Sequence, residues 1–230
     1  MPVEPAKAQM FQLMMEAEAL SFGSFTLKSG RISPYFFNSA RFQTGALVAA
    51  LGDHYARVIA EQAPGTTIVF GPAYKGIPLC VATAIALSRR VSRPVGYLFN
   101  RKEEKTHGDR GLFVGQSPGA QDRLAMVDDV ITDGGTKLEA VELLRGSFTA
   151  PVDLLVIAFD RMEQGQAGQD AIAEFQKSTG IPVHALFTLD DLEDALGSPA
   201  GRTAGVAPQE FQARLREYRR QYGLPARPRG

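Results

Sequence analysis

Residues 124–136, Leu-Ala-Met-Val-Asp-Asp-Val-Ile-Thr-Asp-Gly-Gly-Thr, constrain this chain more than any other stretch. Leu124 to Val127 is continuous apolar sequence, the pattern of a strand buried on both faces, and such strands belong to parallel sheets covered by helices. Asp128 and Asp129 stand at its carboxyl end. Val130 and Ile131 follow, and then Thr132-Asp133-Gly134-Gly135-Thr136 opens a helix with Leu138, Val141 and Leu144 on its apolar face. Ligands of open α/β sheets lie at the carboxyl ends of the strands. A glycine-rich turn feeding a helix offers backbone N–H groups and a positive dipole end to an anion. Two carboxylates beside such a cradle would repel a phosphate unless they bind something else, and sugar hydroxyls or a magnesium hydration shell fit that need. An acid pair alone reads as a solvated strand end. The complete stretch reads as a loop that holds a ribose by its diol and its 5-phosphate together.

The rest of the chain alternates in the same way. Strands are expected at 67–70, 95–99, 124–127, 152–159 and 183–187, with helices at 77–90, 136–144 and 167–178 between them. This alternation predicts an α/β fold with a parallel-sheet core flanked by helices. An amphipathic helix is expected over 5–20, short strands over 24–27 and 35–38 around the turn 28–31, and a helix from Thr44 with Leu47, Leu51, Tyr55 and Val58 at helical spacing. Helices are also expected over 190–196 and 208–222. At 230 residues, a single domain is expected. Its parts are an N-terminal helix and hood (1–43), an α/β core (44–190), C-terminal helices (191–224) and a tail (225–230).

Charge excludes some functions. Lys plus Arg and Asp plus Glu are 25 each, so no bulk charge points to nucleic acid or a membrane. No apolar run approaches the length of a membrane span, and the N-terminus lacks the basic and apolar regions of a secretory signal. A cytoplasmic protein is expected. Cys80 is the only cysteine, so no intramolecular disulfide forms, and its apolar setting predicts a packed, unreactive thiol.

Four further segments follow predicted strands or border them. Phe70-Gly71-Pro72-Ala73-Tyr74-Lys75-Gly76 is either a tight loop presenting N–H groups and the Lys75 ammonium to a pyrophosphate, or a routine βα turn with a surface lysine. Residues 100–109, Asn-Arg-Lys-Glu-Glu-Lys-Thr-His-Gly-Asp, have no apolar periodicity. They form either a solvated charged loop or a mobile lid over a polyanion, with Gly108 and Gly111 as hinges. Phe36 and Phe37 point to opposite faces of a strand, so at least one is core. Arg161, at the end of the strand 152–159, suits a bidentate grip on a carboxylate or an ion pair with Asp160.

The stretch 127–136 resembles the signature of the phosphoribosyltransferases, which use phosphoribosyl pyrophosphate (PRPP). Residues 25–31, 33–38, 70–78, 99–102 and 127–132 together are similar to the orotate phosphoribosyltransferases, in the family's order and over about residues 20–190. The resemblance implies a type I phosphoribosyltransferase fold and the conversion of orotate and PRPP to orotidine 5′-monophosphate and pyrophosphate in pyrimidine (UMP) synthesis. It also implies magnesium (Mg2+), held mainly by PRPP, and a homodimer whose lid, residues 101–110, acts across the interface.

Carried over residue by residue, the resemblance implies that Lys28, Tyr74 and Lys75 contact PRPP, and that Arg101, Lys102, Lys105 and His107 approach its pyrophosphate. Asp128 and Asp129 hold the ribose hydroxyls, and Val130, Ile131, Thr132, Asp133, Gly134, Gly135 and Thr136 cradle the 5-phosphate. Lys28, Phe36, Phe37, Thr132 and Arg161 flank orotate. Lys102, Lys105, His107 and Asp129 carry the catalytic effect. The commoner family form has a small residue and one glycine after the threonine, where this chain has Asp133-Gly134-Gly135. Rival readings are a purine phosphoribosyltransferase, disfavoured by Phe36, Phe37, Lys28 and Arg161, and a non-catalytic PRPP-sensing regulator, which could discard the basic lid. An inactive oligomeric scaffold is disfavoured by the full set of charged positions.

Overall fold

A computed structural model describes residues 4–27, 29–102, 111–132, 134–165, 168–198 and 208–224, with the side chains of 208–210 excepted. Its centre is a sheet of six strands among the described residues: β3 (Ile68–Phe70), β4 (Gly96–Asn100), β5 (Phe113–Gly115), β6 (Leu124–Asp128), β7 (Val152–Asp160) and β8 (Val183–Thr188). Their order is β5-β4-β3-β6-β7-β8, parallel throughout except for the antiparallel edge strand β5. The chain passes from β3 outward to β4 and then returns to place β6 on the other side of β3. That reversal makes the carboxyl ends of β3 and β6 the switch point at which doubly wound sheets bind ligands.

Period-two alternation sends the strand side chains to two cores. Ala125 and Val127 of β6, with Leu154, Val156 and Ala158 of β7, pack beneath α2 (Gly45–Gln62) and α3 (Gly76–Val91). Leu124, Met126, Leu155 and Ile157 pack on the opposite face beneath α4 (Gly135–Ser147) and α5 (Ala171–Thr179). Leu124 to Val127 of β6 are all buried, as continuous apolar sequence requires, and Asp128 at its end is buried with them. The Thr44 hydroxyl caps α2 by accepting from the Leu47 N–H at 3.2 Å.

The N-terminal segment contributes α1 (Pro5–Glu16) and a separate antiparallel pair, β1 (Leu20–Thr26) and β2 (Ile32–Phe37). After β8, α6 (Leu189–Gly197) and α7 (Pro208–Tyr222) complete the described chain. The first helix stops at Glu16 rather than running to residue 20. Glu18 turns the backbone at φ 51°, and Leu20 is already paired with Phe37 in β1. Helix α5 begins at Ala171 rather than 167, because Asp170 accepts from the N–H groups of Ile172 and Ala173 and sets the start there. Strand β5 was not expected. It has three residues and no alternation of its own, and only its pairing with β4 defines it.

Cys80 is fully buried in α3, and burial pushes its thiol up to about 12. In the folded chain it is expected not to react with a thiol reagent near neutral pH and to react once in denaturant; stoichiometric labelling of native protein within minutes would contradict this packing. No helix among the described residues is long and apolar enough to cross a membrane.

Candidate active site

The β3–α3 loop is built by two glycines whose backbones meet. A Cβ on Gly71 would sit 2.1 Å from the Gly76 carbonyl oxygen, so only glycine permits the turn. The Ala73–Tyr74 peptide is cis. The Ala73 N–H donates to Asn100 Oδ1 at 3.0 Å, fastening the loop to the end of β4. Tyr74 is exposed, and the Lys102 ammonium lies 5.0 Å from the centre of its ring. Lys75, at the N-cap position of α3, extends to the acid pair.

The two acids occupy different surroundings. Asp128 is fixed from three sides: its backbone carbonyl accepts from the Tyr55 hydroxyl of α2 at 2.6 Å, its Oδ1 from the Asp129 N–H at 2.9 Å, and its Oδ2 faces the Lys137 ammonium at 2.7 Å. Asp129 Oδ2 receives Lys75 Nζ at 2.8 Å and the Ser39 hydroxyl at 2.5 Å, and its Oδ1 accepts from the Val130 N–H. The Asp129 carbonyl accepts from the N–H groups of Ala158 and Phe159, which ties the pair to β7. Burial raises the Asp128 carboxyl above the usual range, against the opposing pull of Lys137. Burial also works against the Asp129 carboxylate, but hydrogen bonds from Lys75 and Ser39 and the two lysine charges outweigh it and hold that group below its ordinary value. The opposed shifts make Asp129 the more acidic of the two.

Gly134 adopts φ +78° and caps α4 with its carbonyl accepting from Lys137 and Leu138. This left-handed residue is the turn that the glycine-rich sequence demands. Thr132, Gly134, Gly135 and Thr136 thus pass from the acids into the first turn of α4, with Val130 and Ile131 packed against the two cores.

Residues 101–110 follow β4, and β5 shows that they lie in the connection of a β4–β5 hairpin. The Arg101 N–H donates to the Leu112 carbonyl at 2.6 Å and its guanidinium to the Gly111 carbonyl at 3.0 Å. The described residues on either side of 103–110 are thereby joined. Lys105 and His107 lie outside the described residues, as do Lys28 and Asp133.

Phe37 is buried and stacked on Phe159 at 5.3 Å, whereas Phe36 is 39% exposed beside Phe25. The expectation of opposite faces holds. Arg161 presents its guanidinium to Glu163 Oε1 at 2.8 and 3.0 Å and lies 5.2 Å from the Tyr35 ring centre. Among the described residues its acidic partner is Glu163 rather than Asp160, whose Oδ1 accepts from the Met162 N–H.

Sequence reasoning missed Ser39, Tyr55, Lys137 and Glu163. Only Lys137 left a signal, since a cation in the first turn of a helix opposes the helix dipole and calls for a nearby anion. Among the described residues, no group of three or more His, Cys, Asp or Glu converges in a way that could hold a metal ion. In the described part of this loop, Asp128 and Asp129 are the carboxylates that could meet a hydrated cation.

No protein-family model matches the chain. The orotate phosphoribosyltransferase of Methylococcus capsulatus is 47% identical over 206 residues, 90% of this chain and 92% of that protein. The orotate phosphoribosyltransferase of Cellvibrio japonicus is 41% identical over 222 residues, 96% of this chain and 99% of that one. Among solved structures, the orotate phosphoribosyltransferase of Francisella tularensis superposes with a TM-score of 0.78 at 33% identity, covering 93% of this chain and 98% of the other.

Proposed function

The chain belongs to the orotate phosphoribosyltransferase family, and on that premise we propose that the β3–β6 switch point is where PRPP binds. The enzyme transfers the phosphoribosyl group of PRPP to orotate, giving orotidine 5′-monophosphate and pyrophosphate in pyrimidine biosynthesis. The observation that carries the site is the acid pair at the end of β6, flanked by the glycine turn of α4 on one side and the Lys75 loop on the other.

In this reading Asp129 and Asp128 face the ribose hydroxyls, and residues 130–136 receive the 5-phosphate. Tyr74, Lys75, Lys28, Arg101 and Lys102 receive the pyrophosphate side, with Lys105 and His107 brought by the lid. Phe36, Phe37, Thr132 and Arg161 border orotate. Breaking the ribose C1–oxygen bond leaves an oxocarbenium-like carbon and puts the bonding pair on pyrophosphate; orotate N1, attacking as the anion, supplies the pair for the new bond. No protein nucleophile is required, so catalysis is positioning plus electrostatic stabilisation. Magnesium, when bound on PRPP, neutralises pyrophosphate charge.

The reading extends to a cytoplasmic homodimer in which residues 101–110 of one subunit close over the site of the other. In such a dimer, exposed Tyr97 of β4 and Ile85 of α3 are apolar side chains that a second subunit could cover.

Lys105→Ala is expected to lower kcat about 10²–10³-fold, the order found on removing one oxyanion donor; near-normal turnover would remove Lys105 from the mechanism. Mixing Lys105→Ala chains with Asp129→Asn chains tests the shared lid. If the lid acts across the interface, hybrid dimers hold one intact site and recover activity well above the sum of the separate variants. No recovery under conditions that exchange subunits would place the lid over its own site.

A further inference from the structure

We propose that Lys137 is a positioning residue for PRPP: its buried ion pair with Asp128 clasps the end of β6 to the first turn of α4 and so holds the ribose-phosphate cradle in shape. The inference rests on the reading of that cradle as the PRPP site. Asp128 and Lys137 stand on either side of 129–136, and their contact at 2.7 Å joins the strand to the helix across that stretch.

Three features separate this pair from an incidental ion pair. The first is burial. Lys137 and Asp128 side chains are 11% and 7% exposed, whereas the lysine on the neighbouring acid, Lys75, is 61% exposed. Lys75 is free to leave Asp129 when a ligand arrives; Lys137 is enclosed with its partner.

The second is placement. Lys137 is the third residue of α4 after its Gly134 cap, where the helix dipole disfavours a cation. The Asp128 carboxylate offsets that cost, so the lysine is kept there by the pair and not by the helix.

The third is internal bonding: each carboxylate oxygen of Asp128 holds a partner within the protein and keeps a second acceptor position. Asp128 Oδ1 accepts from the Asp129 N–H and Oδ2 from Lys137, while the Tyr55 hydroxyl holds its carbonyl. The adjacent acids therefore divide the work. Asp128 with Lys137 is a fixed strut that orients the backbone of Asp129, and Asp129 carries the exchangeable contacts to Lys75 and Ser39.

The test is steady-state kinetics of Lys137→Met, Lys137→Gln and Lys137→Arg in the full-length enzyme, with thermal unfolding recorded for each. Loss of the outer partner of a metal-ligating group costs about 10–100-fold in affinity, and the same order is expected for a carboxylate beside a sugar. Lys137→Met is expected to raise the KM for PRPP by about that factor, with kcat and the orotate KM within about threefold of wild type. Lys137→Arg restores the PRPP KM; Lys137→Gln falls between and carries the test should the methionine variant not fold. Asp128→Asn combined with Lys137→Met is expected to be no worse than the more damaging single change, as for two members of one unit. An unchanged PRPP KM in a folded Lys137→Met or Lys137→Gln enzyme would overturn the clasp, leaving Lys137 only a contributor to stability. Multiplying losses in the double variant would overturn it equally. Failure of the wild-type enzyme itself to consume orotate with PRPP would instead refute the reading of the site.

Discussion

Asp129→Asn is expected to lower kcat/KM for PRPP about 10²–10³-fold, equivalent to about 2.7–4 kcal/mol of lost transition-state stabilisation. The substitution keeps the shape of the side chain and removes its charge. Asp129 Oδ2 now receives both Lys75 and Ser39, and its Oδ1 receives the Val130 N–H. An amide has one acceptor oxygen, so its NH2 group must face at least one donor. Hydrogen bonds to charged groups are worth about 1.5–3 kcal/mol each. A ribose diol bridging to the ionised acid would lose this charge-assisted contact just as the sugar becomes cationic. Asp133→Asn, on the phosphate side of the same loop, should cost far less. Equal losses from the two substitutions in steady-state kinetics would mean that the ribose is placed wrongly.

Gly71→Ala is the second large effect, and it acts through the backbone. The added Cβ would lie 2.1 Å from the Gly76 carbonyl oxygen and 2.9 Å from Cys80 Cβ. Neither partner is the far end of a flexible side chain, so the turn itself must open. Overpacked sites usually cost about 1–3 kcal/mol, and a clash with backbone belongs at or above the top of that range. For a chain of this size about 3 kcal/mol lowers Tm by roughly 6–12 °C. The same displacement moves Tyr74 and Lys75, so kcat/KM should fall even well below the new Tm. Gly146→Ala is the control: nothing lies within 4 Å of a Cβ there, and its place in α4 predicts a change of about 1 kcal/mol or less, in the stabilising direction. A Gly71→Ala protein that melts with wild type would show that the loop is not closed by this contact.

The parallel core was legible because Leu124 to Val127 and Leu154 to Phe159 are apolar without interruption and the intervening helices are amphipathic, which are signals carried by adjacent residues. Strand β5 was not. Three residues with no alternation become a strand only through pairing with β4, a relation between positions fifteen or so apart. For the same reason the segment after β4 read as either a solvated charged loop or a lid, and the bonds from Arg101 to Gly111 and Leu112 reveal its hairpin base.

The acids, the glycine turn and Lys75 were visible as local motifs. Their partners came from elsewhere in the chain: Ser39 lies ninety residues before Asp129, and Tyr55 seventy-three before Asp128. Arg161 was open between two uses, and only the tertiary arrangement set its guanidinium against Glu163.

The most direct measurement is orotate absorbance in purified enzyme, with PRPP and magnesium omitted in turn. Consumption of orotate that needs both, matched by orotidine 5′-monophosphate and pyrophosphate and reduced at least a hundredfold by Asp129→Asn, is the expected result. Orotate that stays constant with both present, in protein shown to be folded, would contradict the assigned reaction.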